Sequence, residues 1–496
     1  MATNIDRFSR LAALQPARGY PQKSASRPAD LRAPNEEDPL SVLLGAGIAS
    51  NHYGEHLAIR NWFSTPEFAE PSLAALDLLI KAPAAHGGRS AGKIRANSLR
   101  ARVALEDPSK WLFLDTETTG LSGGTGTYAF LVGIAWWDAG GLQVEQLFLR
   151  DFCQEHSLLQ ELSQRLAERP VLVTFNGKTF DWPLLENRFT MTRAIRVPQL
   201  AAHLDLLHPA RALWKLRLGS VRLVELERHV LDAERLGWDR RDDVLSALIP
   251  QYYFDYLRGG SAQPLAGVVR HNQLDLRGLA ALSTKISSLL DTRETKNDET
   301  HSLDLFGLSK FLHKRGERER AHAACAKALE QGLPAEFHPR ATKELALMLK
   351  RRGDTERARE LWEQLVGDAL DGILACEKLA IHFERCAKDP MRALEFAELG
   401  LAKVQRHRTL SRDPYVAARA AQWEQKFLCR LARLRHRMKE ADSAERAPLL
   451  ANAVRAGLHP RLLSRKATVS RAKHAVEGDN LEAQIGWIPP QQNAKL

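Results

Sequence analysis

The sequence predicts an α/β domain with a mixed central sheet flanked by helices, followed by an all-α domain of repeats. Three observations carry this prediction. Short apolar runs between residues 111 and 149 are typical of a three-stranded meander, and strand and helix patterns then alternate as far as residue 290. Past Ser302 the apolar spacing is helical only. Within that helical part, one short polar pattern recurs at a nearly constant interval.

Length and composition indicate a soluble, cytoplasmic protein without a membrane span. The chain has 496 residues, of which 44% are hydrophobic and 26% charged, which allows two or three folded domains. No window has the roughly 18 uncharged apolar residues of a membrane helix, and the first residues lack the apolar core of a secretory signal. The five cysteines are scattered, without the spacing of a zinc knuckle or a disulfide framework.

The first 105 residues are predicted to hold an arm and an extension. Residues 1–38 mix Arg, Lys, Pro and Ser without periodicity, which indicates a disordered basic arm. Residues 39–105 form an extension in which a turn at Gly54, followed by alternating apolar residues, predicts a β-hairpin. A Gly- and Ala-rich stretch at 82–98 is predicted to be a linker.

The α/β domain is predicted over residues 106–295. The apolar run that begins at Trp111 ends at an acid, as expected for a buried central strand. Period-2 and helical patterns predict strands at 111–114, 130–137, 142–149 and 170–175, and helices at 157–168, from near Pro183 and at 268–290. An Asp-Ala-Gly-Gly turn joins the second and third strands.

The helical domain is predicted over residues 302–475, with a disordered tail at 476–496. The pattern at 314–321 recurs at 351–358 and, more weakly, at 386–393. A helix, a polar turn and a second helix with small residues resemble tetratricopeptide repeats, which stack because no pair can bury its apolar face alone. A generic α-α superhelix is the alternative.

Basic charge is concentrated near the C-terminus. Residues 401–473 carry 18 Lys and Arg against 5 Asp and Glu, whereas the whole chain has a net charge of +11. This asymmetry indicates a polyanionic partner. An apolar helix face that includes Trp423 and Phe427 runs through the same stretch. Two interpretations stay open: a solvated helix that caps the repeats, and a helix that contacts phosphates and therefore binds less tightly as salt rises.

Three acidic motifs are candidates for chemistry. Asp115 and Glu117 end an apolar strand, where residues two apart face the same way and would repel each other without a cation. Asp181 follows an Asn-Gly turn after another buried strand, and Phe180 is expected to be its apolar anchor. His271 and Asp275 share a face of the last helix. Taken singly, each motif also fits a bland role, such as a helix cap or a surface pair.

Together, Asp-X-Glu, Asn-Gly-X-X-Phe-Asp and His-X-X-X-Asp resemble the DEDD exonuclease superfamily, which has the ribonuclease H-like fold. Within it, residues 40–290 are most similar to the YprB-type ribonuclease H-like domain, including the Asn-His-Tyr-Gly-Glu-His-Leu leader from Asn51 and the segment from Asp205 to Arg211. The threonines and glycine that surround the first motif agree with this resemblance.

The resemblance implies a two-metal site and its residue roles. Asp115, Glu117, Asp181 and Asp275 would bind two Mg²⁺ or Mn²⁺ ions, and all four with His271 form the implied catalytic set. His271 would orient or deprotonate the attacking water. One branch of the superfamily has His five residues before the last Asp and another has Tyr four before it, whereas this chain has His at the Tyr spacing.

The substrate would be contacted by residues within the motifs. Thr116, Asn176 and Lys178 are the predicted substrate-binding residues, although Lys178 fits a solvated turn lysine equally well. Asp205 is expected either to support the site from a neighbouring strand or to cap a helix. The glycine-rich segment 120–126 lacks the ending of a nucleotide-binding loop and is expected to be a flexible loop beside the metals.

The predicted function is therefore that of a metal-dependent 3′-5′ exonuclease acting on the 3′ end of DNA or RNA. The helical repeats would recruit a protein partner or extend the nucleic-acid track, and no membrane partner is expected. Two alternatives stay open. One is a catalytically silent nucleic-acid-binding or scaffold protein, and the other is an endonuclease acting on structured junctions.

Overall fold

A computed structural model describes residues 38–64, 73–80, 103–120, 126–138, 140–234, 238, 240–291, 300–369, 371–410 and 413–455. The predicted arm up to residue 37, the linker at 82–98, residues 121–125 of the glycine-rich loop and the tail at 476–496 lie outside these residues. The chain forms two compact units, residues 1–341 and 342–496. The predicted domain limits stay predictions.

Seven strands form one mixed sheet in the first unit, in the order β1-β2-β5-β4-β3-β6-β7. They are β1 (Gly47–Asn51), β2 (Gly54–Ser64), β3 (Trp111–Thr118), β4 (Ala129–Asp138), β5 (Gly141–Phe148), β6 (Val171–Thr174) and β7 (Ala202–Asp205). In this order, each neighbouring pair in the part β1-β2-β5-β4-β3 is antiparallel. The pairs β3-β6 and β6-β7 are parallel. The predicted α/β fold with a mixed sheet is confirmed, and the hairpin that was predicted at Gly54 forms the outer edge of the sheet.

The first unit also contains α-helices. In chain order they are α1 (Pro39–Leu44), α2 (Leu73–Ile80), α3 (Glu155–Glu168), α4 (Asp181–Thr192), α5 (Leu207–Leu218), α6 (Leu223–His229), α7 (Ile249–Leu257), α8 (Gln263–Leu290), α9 (Ser302–Lys314) and α10 (Arg318–Glu330). The long helix α8 packs across β3, β4 and β5. Among the described residues, no helix has the length and apolar character needed to cross a membrane.

The core sits between the central strands and α8. In β3 the run Trp111–Leu114 is essentially inaccessible to solvent, because this strand has a neighbour on both sides and a helix packed against it. Burial of such apolar side chains is the dominant favourable contribution to folding. The strand therefore fixes the position of the acids that follow it directly.

The first helix of the predicted repeat region packs against the α/β fold. A Cβ atom at Gly307 of α9 would lie 2.3 Å from the carbonyl oxygen of Leu213 in α5, so the two helices approach closely. At the same contact, Nη2 of Arg217 lies 2.8 Å from Oδ2 of Asp304. Helix α9 thus belongs to the first compact unit.

The remaining helices are α11 (His338–Arg352), α12 (Thr355–Leu365), α13 (Gly372–Arg385), α14 (Pro390–Leu410) and α15 (Pro414–Arg455). A helical C-terminal region is therefore confirmed. The recurring polar pattern lies on turns between consecutive helices, and each turn contains a residue with positive φ: Gly316 at 86°, Gly353 at 88° and Lys388 at 53°. The same turn, with a left-handed residue, reverses the chain at each recurrence.

A buried histidine in β2 makes the fold sensitive to acid. His56 is fully buried, its Nδ1 lies 2.9 Å from Oγ of Ser157, and its Nε2 has no hydrogen-bond partner. The Ser157 hydroxyl donates to the carbonyl oxygen of Gly54, so Nδ1 is the protonated nitrogen. Burial lowers the pKa of His56 from 6.5 to about 4, because a proton on Nε2 would be buried without an acceptor.

His56 should therefore cost stability as the pH falls. The unfolded chain takes up a proton on this residue near pH 6.5, whereas the folded chain does so only near pH 4. The contribution of His56 to the free energy of unfolding is therefore fully present above pH 6.5 and decreases as the pH falls from 6.5 to about 4. The free energy of unfolding of the wild type, relative to His56→Gln, should fall by about 2 kcal/mol between pH 7 and pH 5. Urea unfolding at both pH values measures this difference. A constant difference would show that His56 does not titrate in this range.

Candidate metal and active site

The first two acids lie at the end of the central strand. Asp115 and Glu117 follow the buried apolar run of β3, on the same side of the strand. The register between β3 and β4 shifts between Glu117 and Thr118. Such a bulge bends a strand and redirects its side chains, and bulges are common beside active sites. The sequence therefore places both carboxylates at the open end of the strand.

The third acid starts helix α4. Asp181 is its first residue, and the turn before it contains Asn176 with φ of 68°. The carboxylate of Asp205, at the end of β7, accepts the backbone N–H groups of Asn176 at 2.8 Å, Lys178 at 3.1 Å and Leu207 at 3.1 Å. Asp205 thus holds the turn before Asp181 and also accepts the N–H of the first residue of α5.

Helix α8 supplies the remaining side chains. His271 and Asp275 lie one turn apart on it, and the fully buried Asn272 lies between them in sequence. Nδ2 of Asn272 donates to Oδ2 of Asp115 at 2.8 Å, while Oδ1 of Asn272 accepts from Nε2 of Gln146 at 2.8 Å. Asn272 therefore joins α8 to β3, which carries Asp115, and to β5, which carries Gln146.

The sequence-predicted acids come together from three elements. Oγ1 of Thr116 donates to Oδ1 of Asp181 at 2.6 Å, which ties β3 to the start of α4. One ligand atom each from Glu117, His271 and Asp275 lies within 4.8 Å of the others, a spacing suited to a metal ion. Glu117 and Asp275 are 158 positions apart along the chain, yet their side chains meet at one end of the sheet. Oxygen ligands of this kind suit a hard divalent cation.

The pKa values of the acids reflect their crowding. Burial raises the pKa of Asp115 well above its ordinary value, and the charges of neighbouring carboxylates raise it further. Burial raises the pKa of Glu117 to about 8, with the charge of His271 opposing the shift. Burial also raises the pKa of Asp181, against the hydrogen bond from Thr116. A cation among these groups would relieve the repulsion, so the residues present fit a divalent metal.

Besides Asn272, the sequence analysis missed two further candidate residues of the site. Arg240 is 8% exposed and pairs with three carboxylates. Its Nε and Nη2 donate to Glu227 at 2.6 and 2.7 Å, its Nη1 donates to Asp243 at 3.0 Å, and its Nη2 contacts Asp275. The charge run around Arg240 has no strand or helix period, so its burial could not be predicted from sequence.

Asp243 is the second missed residue, and it orients His271. Oδ2 of Asp243 lies 2.8 Å from Nδ1 of His271, so Nδ1 carries the proton in this pair. Nε2 lies 3.6 Å from Asp275 and 3.9 Å from Glu117. Burial alone would lower the pKa of His271, but the hydrogen bond with Asp243 and the neighbouring carboxylates raise it above its ordinary value.

The predicted substrate-binding residues have different surroundings. Thr116 uses its hydroxyl to hold Asp181, whereas Asn176 and Lys178 are held through their backbone N–H groups. The side chain of Lys178 is exposed. Phe180 was expected to be an apolar anchor, and this was wrong, because its side chain is exposed at the start of α4.

Glycine at position 133 of β4 makes room for Asn272. A Cβ atom there would lie 2.0 Å from Oδ1 of Asn272. Gly133→Ala should therefore displace the amide and break its bonds, at a cost of about 2 kcal/mol in the free energy of unfolding. Gly126→Ala is the matched control, because no atom lies within 4 Å of its added Cβ. Equal urea midpoints for the two variants would contradict the packing argument.

Comparison with known proteins agrees with this arrangement. The model of the RNase_H superfamily matches residues 112–287, which contain all of the predicted site residues. The chain is also 33% identical over 296 residues to a protein of Bacillus subtilis (strain 168) described as "Uncharacterized protein YprB", covering 58% of this chain and 68% of that protein. The chain therefore belongs to the RNase_H superfamily, in the family that contains YprB.

Membership of this superfamily supports a nuclease-type function and binding of nucleic acid. It also agrees with a site for divalent metals, for which the cluster of Glu117, His271 and Asp275 provides ligand atoms.

Proposed function

We propose that this protein is a metal-dependent 3′-5′ exonuclease that hydrolyses phosphodiester bonds in nucleic acid. The observation that carries the proposal is the convergence of Asp115, Glu117, Asp181 and Asp275 from three elements. Burial raises the pKa of the first three, and the charges of neighbouring site carboxylates raise it further for Asp115 and Glu117. Clustered negative charge gives no advantage to a protein that only binds phosphates, because it repels them.

The four carboxylates would hold two Mg²⁺ or Mn²⁺ ions. When bound, these ions would lower the pKa of the attacking water and neutralise charge at the scissile phosphate. The deprotonated water would add to phosphorus and the bond from phosphorus to the 3′ oxygen would break. That oxygen would take a proton from solvent, so the products are a nucleoside 5′-monophosphate and a chain with a new 3′ hydroxyl.

His271 would act on the water from the side of Glu117 and Asp275. Its Nδ1–H donates to Asp243, which fixes the ring and leaves Nε2 facing those carboxylates. From there Nε2 can accept a proton from the water. Thr116 would keep the Asp181 carboxylate in place, and the exposed Lys178 side chain would contact a substrate phosphate. A cytoplasmic location and a protein partner bound through tetratricopeptide-like repeats remain part of this proposal.

End-labelled substrates test the activity and its polarity. Purified protein is incubated with single- and double-stranded DNA and RNA, labelled at either end, with Mg²⁺, Mn²⁺ or chelator. We expect a ladder of 5′-labelled products that shorten from the 3′ end, immediate release of a 3′-labelled mononucleotide, and no reaction in chelator. Internal cuts would favour an endonuclease. Binding without metal-stimulated degradation would overturn the enzymatic proposal.

A further inference from the structure

Three arginines on α15 converge on one carboxylate. Arg430, Arg433 and Arg437 are spaced three and four residues apart, so they share one face of the helix, here named the arginine stripe. All three contact Glu384 of α13, at 2.5 Å from Arg430, 2.9 Å from Arg433 and 3.4 Å from Arg437. One acid therefore organises three guanidinium groups.

The arginine stripe has an excess of positive charge and of hydrogen-bond donors. Glu384 supplies one negative charge against three positive ones, and its side chain is only 4% exposed. The side chains of Arg433 and Arg437 are 44% and 62% exposed. Each guanidinium has five N–H donors, far more than two carboxylate oxygens can accept, so donors of both arginines remain directed to solvent.

The helix that carries the stripe is packed firmly through the apolar face beside it. Phe427 and Leu431 of α15 are buried in a cluster with α13 and α14. A Cβ atom at Gly400 of α14 would lie 2.3 Å from the ring of Phe427, so the helices approach closely there. The arginines are therefore presented from a fixed surface, which reduces the entropy lost when they bind a ligand.

We propose that the arginine stripe binds the backbone phosphates of a nucleic-acid strand. Guanidinium groups match the geometry of phosphate oxygens, and an exposed cluster with net positive charge attracts a polyanion. The choice of nucleic acid over an acidic protein rests on the proposed nuclease function, which supplies such a polyanion. The stripe belongs to the second compact unit, whereas the residues assigned to hydrolysis belong to the first.

Salt-dependent binding by the full chain tests this surface. The anisotropy of a labelled single-stranded oligonucleotide is measured in chelator, so that no hydrolysis occurs, over about 50 to 200 mM salt. Arg433→Gln with Arg437→Gln should raise the Kd at least about tenfold and lower the salt slope by about one for each arginine. Arg435→Gln is the matched control, since Arg435 is similarly exposed but paired singly with Glu398 at 2.7 Å. It should change the Kd far less.

The outcomes separate this inference from the proposed activity. A double variant that binds like Arg435→Gln, with equal circular dichroism and melting midpoint, would overturn the inference. Binding of labelled poly-glutamate is measured in the same way. If the double variant loses poly-glutamate binding but keeps oligonucleotide binding, the inference is overturned in favour of an acidic protein. Hydrolysis of a nucleotide p-nitrophenyl ester reports the carboxylate site separately. If the wild type hydrolyses this ester and the double variant binds the oligonucleotide as the wild type does, only the inference fails. If the double variant binds the oligonucleotide more weakly but the wild type does not hydrolyse the ester, only the proposed activity fails.

Discussion

Asp115→Asn is expected to abolish metal-dependent cleavage and, in chelator, to make the protein more resistant to unfolding. The loss of activity should be about a thousandfold or more, as for removal of a residue at the centre of a catalytic set. Asparagine keeps the size of the side chain and can still accept the hydrogen bond from Asn272, which lies 2.8 Å from Oδ2 of Asp115. The fold should therefore be retained.

The gain in stability follows from the raised pKa of Asp115. Burial and neighbouring carboxylates raise this pKa, so ionisation is harder in the folded chain than in the unfolded chain. At neutral pH the unfolded chain is therefore favoured by this group, and the cost disappears as the pH falls below the ordinary value of 3.8. Asparagine cannot ionise, so the variant should melt at a higher temperature than the wild type in chelator at neutral pH.

Thermal melting without and with Mn²⁺ measures the gain in stability and the loss of metal binding. Mn²⁺ should raise the midpoint of the wild type, because a ligand that binds the folded state stabilises it, and should raise that of Asp115→Asn much less. Glu168→Gln is the control, since Glu168 is a partly exposed carboxylate of α3. It should leave cleavage and the Mn²⁺ response unchanged. Wild-type cleavage by Asp115→Asn would refute the role of Asp115.

The local positions of the carboxylates could be predicted from sequence, whereas their joint role as one site was implied only by the resemblance to the DEDD superfamily. Asp115 ends an apolar strand, Asp181 follows a buried strand and a turn, and Asp275 lies on a helix with clear apolar spacing. Periodicity assigns each residue to a strand end or a helix face, but it does not show which of these positions meet in the folded chain.

Asn272 was missed although the sequence carried a signal. It shares a helical face with the buried Val269 and Leu276, at spacings of three and four residues. A polar residue on an apolar stripe must find a buried partner, because burying an amide without a hydrogen bond is costly. Its partner, Asp115, lies 157 residues away, so the sequence could indicate the need for a partner but could not identify it.

Arg240 and Asp243 could not have been found in this way. They lie in an irregular stretch between α6 and α7, where a run of alternating charge has the appearance of a solvated turn. Only tertiary contacts with α6 and α8 bury them. A site assembled from such a loop has no periodic signature, and charged residues are rarely buried unless paired.

Arg240→Gln is expected to lower the free energy of unfolding by about 3 to 5 kcal/mol, because it leaves buried carboxylates without their counter-charge. The guanidinium is 8% exposed and pairs with Glu227 at 2.6 Å and Asp243 at 3.0 Å, besides its contact with Asp275. Arg240→Lys keeps the charge, but a single ammonium cannot reach three carboxylates in the same geometry. It should lose stability to an intermediate extent.

Urea unfolding in chelator at neutral pH measures these losses. Arg150→Gln is the matched control, since Arg150 pairs with Asp38 at 3.2 Å in a partly exposed position and should cost less than about 1 kcal/mol. If Arg240→Gln loses no more than Arg150→Gln, the carboxylates around Arg240 do not depend on it. Arg240 also connects the fold to the site, because it holds Asp275 directly and contacts Asp243, which orients His271. Arg240→Lys, if folded, should therefore have a lower cleavage rate than the wild type even under conditions in which both proteins are fully folded. Arg150→Gln should keep the wild-type rate.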